Sequence, residues 1–213
     1  MTVNLQSLKQ IQSEISKISP YTKLLIVSKN RTIEDINKLI DLGHYSFGEN
    51  KVQESLTKFS SHNQREKIDL HLIGPLQTNK AKQALFLFDT IQSLDRYKLV
   101  DEIIKIKKKL TVLTKDFYIQ VNIGEEEQKS GIKINELESF YTYCKSNDLN
   151  VVGIMCIPPN NNDPEKYFNL MIDLRNKIET TLLLSMGMSN DYTKALDLQS
   201  NLIRVGSKIF DDK

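Results

Sequence analysis

The chain has 213 residues, 39% of them hydrophobic, enough for one large domain with a real core. Lys and Arg total 29 against 27 Asp and Glu, a balance that argues against nucleic acid as the partner. The two cysteines, Cys144 and Cys156, lack paired spacing, so no disulfide framework or metal site follows, and a reducing, cytoplasmic setting is the expectation.

The opening segment, MTVNLQSLKQIQSEISK, sets Leu5, Leu8, Ile11 and Ile15 at helical spacing. It lacks the apolar core of a signal peptide, and no later run is long enough to span a bilayer. Then short apolar runs alternate with amphipathic ones. LLIVSK (24–29) reads as a strand and TIEDINKLIDLG (32–43) as a helix, with Thr32 placed to cap it and Gly43 to end it. YSFGEN (45–50), LHLIG (70–74) and TIQSL (90–94) are the next strands, separated by the helices 51–59 and 79–88. Helix 95–110 contains KIKKKL, whose interleaved Ile104, Ile106 and Leu110 favour a solvated helix face over a nucleic-acid patch. FYIQVNI (117–123), VVGIMCI (151–157), LLLSMGMS (182–189) and LIRVGS (202–207) complete the strands. Helices 134–147, 163–182 and 191–200 lie between them, the second opening on Asp163 as cap and Pro164 at the first helical position.

Eight strands alternating with helices predict an α/β fold, a (β/α)8 TIM barrel with an extra N-terminal helix, as a single domain over 1–213. An open doubly wound sheet also alternates. Eight strands without an interrupting domain, and no Gly-x-Gly-x-x-Gly after the first, favour the barrel.

Barrels of this kind carry their working residues at the C-terminal ends of the strands. That rule selects Lys29, Glu49–Asn50, the GPLQTNK turn, Asn122, the EEEQKSG loop, Met155–Ile157, Ser189–Asn190 and Gly206–Ser207. The last two loops combine small residues with helix starts, a setting that suits an anion such as phosphate. The plain alternative is that Gly206 only turns the chain and Ser207 only caps a helix. Lys29 at a strand end is either a surface lysine or an amine held for chemistry, its pKa lowered by partial burial. An amine and a phosphate cup facing one cavity suit pyridoxal 5′-phosphate (PLP).

VSKN, FGENKVQES, HLIGPLQTNKAK, QKSGI, LSMGMSND and IRVGSKIF occur in matching order from about residue 24 to 210. Together they closely resemble the pyridoxal phosphate homeostasis proteins, single-barrel relatives of the alanine racemase N-terminal domain. The resemblance implies that Lys29 forms the internal aldimine with PLP. It also implies that Ser185, Ser189, Gly206 and Ser207 surround the phosphate, that Arg204 approaches the pyridine nitrogen, and that Asn50 lines the pocket. Met188 and His71 are carried as pocket neighbours, with His71 equally a satisfied core residue. Gln199 and Asn201 stand where the family tends to have Gly and Thr, and after Ile209–Phe210 this chain has Asp-Asp-Lys where the family continues with glycine and arginine.

An arginine at the ring nitrogen can only donate, so it disfavours the protonated ring on which strong carbanion stabilisation depends. Alanine racemase shares that arginine but takes a tyrosine base from a second domain. The expectation is a PLP carrier that buffers or delivers cofactor to PLP-dependent apoenzymes, as a monomer, without membrane or metal and without robust catalysis. The alternative is a PLP-dependent racemase or decarboxylase of narrow specificity.

Overall fold

Eight parallel strands close on themselves in sequence order in a computed structural model that describes residues 3–160 and 163–210. They are β1 (Lys23–Val27), β2 (Ser46–Glu49), β3 (Asp69–Leu72), β4 (Thr90–Leu94), β5 (Asp116–Val121), β6 (Val151–Cys156), β7 (Leu183–Met188) and β8 (Leu202–Val205). Closure is made by β1 against β8, in a register running from Lys23 opposite Leu202 to Ile26 opposite Val205. A closed parallel sheet has no free edge, so every strand's backbone groups find partners.

The helices α2 (Ile33–Asp41), α3 (Val52–Phe59), α4 (Ala81–Leu87), α5 (Tyr97–Lys107), α6 (Leu137–Ser146), α7 (Pro164–Ile178) and α8 (Tyr192–Asp197) follow strands one to seven. Their ends use local chemistry. Thr32 accepts the Asp35 N–H and Asp163 accepts the Glu165 N–H, the two expected caps. Gly43 at φ +85° ends α2, with its own N–H donating to Ile40 and the His44 N–H donating to Leu39. Several elements are shorter than their apolar pattern. β1 stops at Val27 rather than Lys29, and α5 stops at Lys107, where the lysine run becomes a turn.

The outer ring is completed by α1 (Leu5–Ile18), which precedes the first strand. Leu8, Ile11 and Ile15 are buried along one face, each worth roughly 1.5–3 kcal/mol. Tyr192 of α8 donates to Glu14 at 2.6 Å, and the Asn4 N–H donates to the Ile209 carbonyl at 2.7 Å. The extra N-terminal helix thus covers the seam beside β8.

Two cores result. Between strands and helices lies an apolar shell that includes Ile26, Phe47, Phe117 and Ile203. Inside the barrel, Leu25, Met155 and Leu202 share space with buried His71, Gln92, Gln120, Ser185 and Arg204. That polar interior leads up to the mouth.

Candidate functional site

A cavity of about 630 Å³ opens at the C-terminal ends of the strands. It is lined by Lys29 after β1, Asn50 after β2, Ile157–Asn160 after β6, Met188–Asp191 after β7, and Arg204 with Gly206–Ser207 on and after β8. Strand alternation explains the inward set: Val27 and Lys29 line the cavity, whereas Ile26 joins the helix-side shell.

Lys29 departs from expectation in one respect. Its side chain is exposed rather than partly buried, because the strand ends two residues earlier and Lys29 stands on the turn beyond it. Asn30 follows in the left-handed region at φ +59°.

Beside β1, the loops after β7 and β8 converge. Between β7 and β8 the register slips, with Ser185 opposite Leu202 but Met188 opposite Arg204. Gly187, at φ +97°, accommodates this bulge, and Met188 and Ser189 then turn into the mouth. The Ser189 hydroxyl accepts the Gly206 N–H at 3.3 Å, tying the two loops together. The Phe210 and Ile209 N–H groups return to the Gly206 carbonyl, so a single helical turn starts at Ser207. Among the described residues no acceptor takes the N–H of Asn190, Ser207 or Lys208, and the first two of these residues line the cavity. Unsatisfied amides gathered on one cavity are an anion site.

Asp191 lies in the same loop. Its carboxylate accepts the Met188 N–H at 2.5 Å, and burial raises its pKa against the opposing pull of that bond and of Arg204.

Arg204 is 3% exposed. Nη1 donates to the Ser185 carbonyl (2.7 Å) and hydroxyl (2.8 Å), and Nη2 donates to the Cys156 carbonyl (2.7 Å). Burial lowers its pKa, with no carboxylate bonded to it. Among the described residues no acceptor takes its Nε–H. Five fixed donors and no acceptor make this side chain a rigid hydrogen-bond source.

Ser185 sits a layer deeper than expected from the resemblance. It is fully buried, and its hydroxyl donates to Gln92 at 2.7 Å while accepting from Arg204. It lines the barrel rather than the cavity, as the support of Arg204. His71 lies deeper again, with Nδ1 2.7 Å from the Gln92 amide and Nε2 3.0 Å from Asp69. The core reading of His71 therefore describes its position, and Met188 is the pocket neighbour of the pair. Lys29, Asn50, Ser189, Arg204, Gly206 and Ser207 come together on one cavity. Asn122 instead closes its own loop, bonding both polar groups of its amide to the Glu126 backbone. Sequence reasoning missed Ile73, Pro158, Pro159, Pro164 and Asp191 as lining residues. Asp191 alone carried a signal, as the acidic residue closing a small-residue loop before a helix. Gln199, at a position where glycine was expected, adopts φ +56°. Asn201 accepts the Leu184 N–H at 2.8 Å. Residues 211–213, the other departure, lie outside the described residues.

No protein-family model matches the chain. A pyridoxal phosphate homeostasis protein of Pasteurella multocida is 36% identical over 232 residues, covering 99% of this chain and 97% of that one. PipY of Synechococcus elongatus, solved with PLP bound, superposes with a TM-score of 0.80 at 27% identity, covering 96% of this chain and 100% of that one. Alanine racemase from E. faecalis superposes with a TM-score of 0.73 at 12% identity, covering 100% of this chain and 62% of that one, a likeness of fold alone.

Proposed function

We propose that this chain, which belongs to the pyridoxal phosphate homeostasis protein family, binds PLP at the mouth of its barrel and serves as a cytoplasmic carrier of that cofactor. The observation that carries this is the convergence of one amine, Lys29, and the unbonded backbone N–H groups of Asn190 and Ser207 on a single cavity. PLP supplies an aldehyde that condenses with an amine, with loss of one water, and a phosphate that needs donors. Lys29 is the residue for the first, and the amides of Asn190 and Ser207, with that of Lys208 next to them, are those for the second. Gly206 and the Ser189 hydroxyl hold the two loops in register. Arg204 is the donor available to a ring nitrogen, oriented from below by Ser185, and Asn50 lines the same cavity from the end of β2.

The carrier reading is favoured by what else lines the cavity. Among the described lining residues there is no tyrosine, histidine or cysteine. Tyr192 is turned away onto Glu14, and Tyr118 lies in the barrel interior with burial raising its pKa. A racemase needs a base on each face of its substrate. Lys29 and Asp191 are the lining residues that bring an amine and a carboxylate to the cavity. Asp191, a carboxylate on the same cavity as Lys29, is the observation that favours the enzymatic alternative. We propose further that the protein works as a monomer and releases PLP to apoenzymes.

The test is borohydride reduction of the PLP-loaded protein followed by peptide mass mapping, with Cα deuterium uptake by a panel of D- and L-amino acids in heavy water. Cofactor mass on Lys29 and slow uptake are expected. Mass on Lys23 or Lys51 with Lys29 unmodified refutes the site. Uptake at about 1 s⁻¹ or more, the low end of ordinary turnover, refutes the carrier.

A further inference from the structure

The peptide units on both sides of Lys29 are held by a polar cluster outside the cavity, between β1, β2 and α3. Ser28 is fully buried and uses all its polar groups there. Its N–H donates to the Gly48 carbonyl at 3.0 Å, its hydroxyl donates to Glu49 at 2.7 Å, and its carbonyl accepts from Lys58 Nζ at 2.8 Å. On the other side of Lys29, the Asn30 N–H donates to Glu54 at 2.6 Å. Lys58 then joins the two carboxylates, 2.9 Å from Glu49 and 2.6 Å from Glu54.

This arrangement is expensive to maintain. Glu49 is 0% exposed, its Oε2 has no partner, and desolvation raises its pKa in spite of Ser28 and Lys58. A buried ion pair of this kind rarely outperforms an apolar contact in stability, so a positional role is the better account of it. The position it defines is the turn carrying Lys29.

We infer that Glu49, Lys58 and Glu54 are positioning residues for Lys29, fixing the two flanking peptide units so that the amine stands over the cavity in one orientation. The inference rests on Lys29 being the anchor for PLP. Glu54 and Lys58 are one helical turn apart on α3, so a single helix face grips the turn from outside the barrel. None of the three lines the cavity.

Two variants test this: Lys58→Met, and Glu54→Ala as the milder change at a partly exposed site that leaves the buried pair intact. In the ligand-free proteins, amide hydrogen exchange at Asn30 should rise by about 10-fold or more, the loss expected from one charge-assisted bond, while the β5 and β6 amides keep wild-type protection. Affinity for PLP should fall by about 10-fold, whereas affinity for 4′-deoxypyridoxine 5′-phosphate, which lacks the aldehyde, should stay at the wild-type value. Lys58→Arg should recover part of the PLP affinity. Unchanged exchange at Asn30, or equal loss of both ligands, would overturn the inference. If the wild-type protein bound neither ligand, the cofactor reading would fail instead, and the exchange result would still decide whether the cluster holds the turn.

Discussion

Gly206→Val attacks the amide cup through the neighbouring strand. A Cβ at residue 206 would stand 3.0 Å from the Val27 carbonyl oxygen and 3.1 Å from Val27 Cβ, both tighter than ordinary contact. Val27 is the last residue of β1, paired to β2 opposite Gly48, so neither atom can yield by rotating a side chain. Relief must come from the loop after β8, and overpacking of this sort costs about 1–3 kcal/mol. Movement of that loop re-aims the Ser207 and Lys208 N–H groups. Losing one charge-assisted hydrogen bond is worth roughly 1.5–3 kcal/mol, or about 10- to 150-fold in affinity. Titration with PLP and with inorganic phosphate, followed by fluorescence or calorimetry, should show that loss for Gly206→Val and a smaller one for Gly206→Ala. Ser207→Ala should lose least, since its amide survives. A folded Gly206→Val protein that binds both ligands at wild-type affinity would refute the cup.

Three further outcomes follow from positions away from the cavity. Burial pushes the Cys144 and Cys156 thiols up to about 12 from 9.0, so their share of stability is whole below pH 9 and is lost between pH 9 and 12. The loss at pH 10 should be about 1.4 kcal/mol per thiol, and urea midpoints should fall less with pH in Cys144→Ala than in wild type. Gly43→Ala meets no neighbour within 4 Å, so its cost of about 1 kcal/mol in thermal unfolding should reflect the left-handed backbone alone, while Gln199→Gly should be neutral or stabilising. Tyr192→Phe removes the hydroxyl bond to Glu14 and should lower stability by about 1 kcal/mol without changing PLP affinity, as measured by paired melting and binding curves.

Much of this architecture was legible as pattern. Runs such as residues 24–27 and 202–205 are buried on both faces, as a parallel barrel demands, and their near-continuous hydrophobicity marks them without any partner being known. The converging loops were legible for a similar reason, since small residues after a strand have few other uses. What escaped was set by long-range contact. The resemblance implied that Ser185 lies around the phosphate, yet its neighbours are Gln92 and Arg204, 93 and 19 residues away. The exposure of Lys29 depended on where β1 ends, a boundary that local pattern leaves open by several residues. The grip of α3 on Ser28 and Asn30 has no signature in either segment alone. It exists only where β1, β2 and α3 meet.

The seam between the first strand and the eighth also fixes the order of events during synthesis. Tyr192 and Glu14, which dock α8 on α1, are 178 residues apart, and so are Thr22 and Ser200 beside the β1–β8 pair. At roughly 5–20 residues per second, a ribosome delivers the second member of each pair on the order of 10–40 s after the first. Throughout that interval β1 has an unpaired edge, and α1 lacks the part of its surroundings that α8 supplies. Early and late segments must therefore meet after β8 has emerged, which makes closure a slow, non-local step.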